Sequence, residues 1–140
     1  MADFAADHNL GEDVQPEISQ HDVVEYAGTV AAGDFLEVTG IATPAADNMF
    51  TVTTQAGTDD AYAVAMFAGV SGDRQKVLIY GKTKVTFGAA VTVGQKLSVS
   101  GNKAIDQAIA GNGLANGLII SNGAADLDTG LIFFVGTGSG

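Results

Sequence analysis

The sequence predicts an all-β fold, a small β-barrel preceded by an extended arm. Three observations carry this reading. Glycine supplies 19 of the 140 residues, and Val, Thr, Ile, Phe and Tyr cluster in short runs between the glycines, a strand-and-turn pattern. Asn-Gly pairs at 112–113, 116–117 and 122–123 are tight-turn signals. Val77-Leu78-Ile79-Tyr80 and Leu131-Ile132-Phe133-Phe134-Val135 are continuous apolar runs, too short for amphipathic helices and suited to central strands.

Residues 1–22 read as the arm. Leu10, Val14 and Ile18 follow a helical spacing, but Pro16 falls inside that stripe and Gly11 beside it, and both disfavour a helix interior. The barrel domain is expected over 23–136, with a flexible tail at 137–140. Its predicted strands are Val23–Ala27, Phe35–Thr39, Met49–Thr54, Ala61–Ala68, Lys76–Tyr80, Lys84–Phe87, Gln95–Val99, Leu114–Ser121 and Gly130–Val135. Alternation places Phe50 and Val52 on one face. Ala104–Ala110 is expected to form a helical turn.

The chain echoes itself. Val30 to Gly40 and Val91 to Gly101 both read V-x-x-G-x-x-L-x-V-[ST]-G. A weaker echo links Lys76–Gly81 with Leu131–Gly136. Two similar β units, packed into one barrel or sandwich, would account for both.

The formal net charge is −10, and its layout is uneven. All six bases lie between Arg74 and Lys103, whereas residues 1–60 hold twelve acids and no base. Nucleic-acid binding needs a dense basic footprint, which this chain lacks. With no cysteine, disulfides and thiolate metal sites are excluded. No stretch approaches the roughly 20 apolar residues of a membrane helix. The acidic opening Met1–Asp7 does not read as a secretory signal, so synthesis in the cytoplasm is expected.

Catalytic chemistry finds little support. The histidines, His8 and His21, both fall in the arm, a poor place to hold a base, and read as solvated side chains. Glu12-Asp13 and Asp59-Asp60 are adjacent pairs whose side chains diverge, so neither makes an acid–base dyad. Asp126-Leu127-Asp128-Thr129-Gly130 resembles the opening of a calcium loop, but no glutamate follows Glu37, which excludes an EF-hand. At most a weak surface cation site remains near Asp126 and Asp128. The expectation is therefore no enzyme, no cofactor and no metal.

Several short motifs occur in a fixed order. Ala32-Gly33-Asp34-Phe35-Leu36-Glu37-Val38 comes first, then Ala61–Gly69, a charged turn and Val77–Gly81. Val93–Val99 and Gly117-Leu118-Ile119-Ile120 precede a last apolar strand. With its arm and length, the chain resembles, over residues 28–136, the small capsid decoration (cement) proteins of tailed double-stranded DNA viruses. That resemblance implies a β-tulip or related barrel and a homotrimer at local threefold positions on the outer capsid surface. It implies the major capsid protein as partner and the virion as location. The arm would be the clamp, with Phe4, Leu10, Val14, Pro16 and Ile18 as capsid-binding residues. Two other readings stay open: a tail, spike or surface-array module, and a carrier domain. The carrier reading is weakened because no lysine has the hairpin-tip context of a biotinyl or lipoyl site.

Overall fold

The structure is a computed structural model that describes residues 8–57, 61–107 and 116–136. Among these residues nine strands are formed: β1 (Gln20–Tyr26), β2 (Phe35–Ile41), β3 (Phe50–Thr54), β4 (Ala63–Ala65), β5 (Arg74–Thr86), β6 (Leu97–Ser100), β7 (Lys103–Asp106), β8 (Gly117–Ile119) and β9 (Thr129–Val135). The order β1-β3-β2-β4-β5 closes on itself because β1 also pairs with β5. The result is a five-stranded barrel, as the sequence predicts. Val24, Tyr26, Leu36, Val52, Ala63, Ala65 and Val77 fill it and are fully buried. Each fully buried side chain of Val, Leu or Phe size contributes on the order of 1.5–3 kcal/mol.

A second, smaller ring is built from the far half of β5 with β9, β8, β6 and β7. The β5–β9 and β8–β9 ladders and the β6–β7 hairpin supply most of its wall. Single bridges at Phe87–Ala104 and Lys96–Leu118 complete it. Val85, Phe87, Val91, Leu97, Val99, Ala104, Ile119, Ile132 and Phe134 line its interior.

The two rings are the two halves of the sequence echo. Val30 exchanges both backbone hydrogen bonds with Gly69, and Val91 does the same with Gly123. Gly33 and Gly94 hold φ of 88° and 91°, a left-handed turn that favours glycine. The Gly33 N–H donates to Ala65 O and the Gly94 N–H to Ile119 O. The Gln55 N–H donates to Phe35 O, and the Gln107 N–H to Lys96 O. Interior positions correspond as well: Tyr26 with Phe87, Leu36 with Leu97, Val38 with Val99, Val77 with Ile132 and Ile79 with Phe134. The expected pair of similar β units is present: the first closes the five-stranded barrel, and the second forms the smaller ring beside it, with β5 running through both.

β5 does this through an irregularity. Its pairing to β1 slips between Gln20–Tyr80 and His21–Leu78. One extra residue reverses the alternation. Val77 therefore faces the first barrel, while Thr83 and Val85 face the second core. The sequence reading split this strand into Lys76–Tyr80 and Lys84–Phe87, treating Gly81 as a break. A second correction concerns the first part of Ala104–Ala110, since Gln107 is helical as expected. Ala104, Ile105 and Asp106 are in β7, paired to β6, because Gly101-Asn102 turns the chain back on itself. Residues 108–110 lie outside the described residues, as does the tail at 137–140.

The barrels meet through Phe35, Ala61, Val64 and Leu78. These project from the outside of the first barrel into the core of the second. The Phe35 ring lies 5.9 Å from that of Phe134. The Phe35 N–H donates to Asn102 Oδ1 (2.7 Å), and Asn102 Nδ2 donates to Asp34 Oδ1 (2.9 Å). The Asn102 N–H donates to Gln55 Oε1 (3.0 Å), and Asn116 Nδ2 to Ala61 O (3.0 Å). One open end of the second barrel is thus stoppered by the side of the first.

Candidate functional site

The sequence reads residues 1–22 as an arm, extended or irregular when free. In the structure β1 already begins at Gln20, and residues 8–19 lie as a strap across the far half of β5. Two backbone bonds set its course, from the Gly11 N–H to Lys84 O (2.9 Å) and from the Val14 N–H to Lys82 O (3.1 Å). Gly11 has φ of 77°, and a Cβ there would come within 2.3 Å of Ala65 O, so the strap seats only with glycine at this point. Pro16 opens a single 3-10 turn, Pro16–Ile18, where its missing N–H costs nothing.

The strap's acids have internal partners. Glu12 pairs with His8. Asp13 accepts from the Ser19 hydroxyl (2.6 Å) and pairs with His21 Nε2 (2.7 Å). Lys84 Nζ donates to His8 O (3.1 Å). The hydrogen bond from His8 holds the Glu12 carboxyl below the ordinary range, aided by the Asn9 N–H and the nearby Lys84 charge. The reading of His8 and His21 as solvated is therefore corrected. Both are half-buried: His8 braces Glu12 within the strap, and His21, on β1, ties Asp13 to the fold. The adjacent acids Glu12 and Asp13 do diverge to different partners.

Of the anticipated capsid-binding residues, Phe4 lies outside the described residues. Leu10, Pro16 and Ile18 are exposed, and Val14 is half-buried. Leu10 sits beside Met66 and Phe67 in a shallow groove completed by Asn9 and Glu12. Phe67 and Val70 are exposed on the β4–β5 loop. That loop is fixed by the Tyr26 hydroxyl, which donates to Phe67 O (2.7 Å), and by Asp73, which accepts from the Val70 N–H (2.9 Å). Sequence reading missed this pairing of strap and loop, since Leu10 and Phe67 are distant along the chain. The result is an apolar, acid-edged surface held in place before any partner arrives.

Several other carboxylates have structural partners. Asp128 Oδ2 accepts from the Ala124 and Ala125 N–H groups, and Asp126 pairs with Lys103 (3.0 Å). Arg74 joins Glu25 (3.1 Å) to Asp47 (2.9 Å). Asp59 and Asp60 lie outside the described residues. Among the described residues no group of three or more His, Asp or Glu side chains is arranged to hold a metal ion. No helix among them is long and apolar enough to cross a membrane.

No known sequence family and no curated protein matches the chain. Among solved structures, the fold is similar to the head fiber gp8.5 N base of bacteriophage phi29. The TM-score is 0.63 at 15% identity, covering 84% of this chain and 94% of that one. At that identity the likeness shows a shared fold.

Proposed function

We propose that this chain is a structural protein of a tailed-virus particle. It binds the outer capsid surface through the major capsid protein, as a decoration or cement protein, and works as a homotrimer at local threefold positions. It performs no catalysis and needs no cofactor. The observation that carries the reading is the strap: an acidic segment already ordered against the barrel, with Leu10 exposed beside Phe67 and Pro16 and Ile18 exposed further along it. A pre-ordered binding segment avoids part of the entropy lost on docking, and many copies on a repeating shell multiply a modest affinity. The fold likeness to a phage head-fibre base supports a virion role. It equally favours a second reading, the base of a fibre or spike.

Copy number separates the two. Particles purified on a density gradient should carry this chain in fixed proportion to the shell protein if it decorates the capsid. A few copies per particle would indicate a vertex or fibre role. Absence from particles would sink both readings. Leu10→Asp and Ile18→Asp should release the chain from shells while leaving its far-UV circular dichroism unchanged.

A further inference from the structure

Within one chain, the open end of the second barrel is closed by the outer face of the first. Each partner in that contact has a counterpart elsewhere in the same chain, and among the described residues both counterparts keep exposed side chains, although Tyr62, Ile79 and Phe133 are half-buried. The end residues of the second barrel, Asn116 and Phe134, correspond to Tyr62 and Ile79 of the first. The Tyr62 N–H donates to Leu36 O as the Asn116 N–H donates to Leu97 O. Among the described residues the first barrel's rim near Tyr62 and Ile79, where the Gly136 N–H donates to Ile79 O, keeps Ile41 63% and Phe50 39% exposed. Phe50 packs edge-on against Tyr62 at 5.2 Å. The face residues of the first barrel, Phe35, Val64 and Leu78, correspond to Lys96, Leu118 and Phe133 of the second. Phe35, Val64 and Leu78 are fully buried in the joint, whereas Leu118 is 47% exposed and Lys96 is exposed.

We propose that the open rim of the first barrel, around Ile41, Phe50 and Tyr62, seats on the Lys96–Leu118–Phe133 face of a second copy of this chain. The contact repeats between chains the joint already made within one. Charge favours the match. Asp22, which accepts from the Tyr62 hydroxyl (2.6 Å), lies on the rim, and Lys96 replaces the apolar Phe35 on the receiving face. Such a contact is heterologous: one chain's rim meets another chain's face. It therefore closes into a ring or propagates, and it does not form a self-complementary dimer. A ring of three chains would hold six barrels in near-equivalent contacts. The proposal rests on the internal repeat and not on the capsid reading, because its test uses the purified chain alone.

Ile41→Asp spoils the rim and Leu118→Asp spoils the face. Both sites are exposed, so circular dichroism should show each variant folded. By light scattering coupled to size exclusion, the wild-type chain should be an oligomer, and each variant should fall to the 14.1 kDa of one chain. The decisive step is mixing. The Leu118→Asp chain keeps a sound rim and the Ile41→Asp chain a sound face. An equimolar mixture should therefore form a heterodimer of twice that mass that grows no further. A monomeric wild type, variants that still assemble, or a mixture that stays monomeric would each overturn the proposal.

Discussion

Replacing Phe35 by alanine tests the joint between the barrels. Phe35 is fully buried, its ring packs 5.9 Å from Phe134, and its backbone N–H is bonded by Asn102. Truncation removes a whole aromatic ring from a site walled by two barrels, which cannot collapse without shifting one against the other. Large-to-small changes of this kind cost about 3–5 kcal/mol, against a total stability of roughly 5–15 kcal/mol for a domain. The melting temperature should fall by roughly 10–20 °C. The control is Lys96→Ala. Lys96 holds the same position in the second unit but is exposed, so its truncation should change stability by no more than about 0.5 kcal/mol. Urea unfolding followed by tyrosine fluorescence and circular dichroism gives both numbers; the chain has three tyrosines and no tryptophan. Coincident transitions from the two probes would show the barrels unfolding together. A loss below about 1 kcal/mol for Phe35→Ala, or equal losses for the two variants, would refute the joint as described.

Asn102→Ala should cost about 2–4 kcal/mol in the same assay. It leaves the Phe35 N–H without its partner and places alanine at a φ of 64°. The Glu12 carboxyl is held below its ordinary value, so its contribution is complete above that value and is lost as pH falls through the lowered one. The protection factor of the Gly11 amide, its unfolded exchange rate divided by the observed rate at the same pH, should fall on acidification below about pH 4.5, and Glu12→Gln should abolish that dependence. Burial pushes the Tyr26 phenol up to about 12, and burial with the Asp22 hydrogen bond raises Tyr62 further. A raised phenol stabilises the fold fully below its unfolded value near 10, and that contribution is lost as pH climbs through the folded value. Stability to urea should therefore be unaffected by these phenols up to about pH 10 and then decline. Tyr62→Phe should flatten part of that decline, and a decline beginning near neutrality would contradict the assignment.

Much of the fold was legible in residue order because strands and turns are local. The alternation in Phe50–Thr54, the glycine-bounded apolar runs and the V-x-x-G-x-x-L-x-V echo identified most strands and both halves of the repeat. The echo was informative because Gly33 and Gly94 answer the same backbone requirement, and Leu36 and Leu97 fill the same place in their barrels. Other features depend on partners distant in the chain. Nothing local in Gly81 says whether a strand ends there or continues; pairing with β9 carries it through. Ala104–Asp106 becomes a strand because β6 lies beside it. His21 reads as solvated because Asp13 meets it only once the strap folds back, whereas the His8–Glu12 pair is a local contact four residues apart that the sequence could have signalled. Whether Phe35 or Lys96 is buried could not be read from two equivalent positions in one pattern. Periodicity reports which side of a strand a residue occupies, whereas the packing of one barrel on another decides which of those sides is covered.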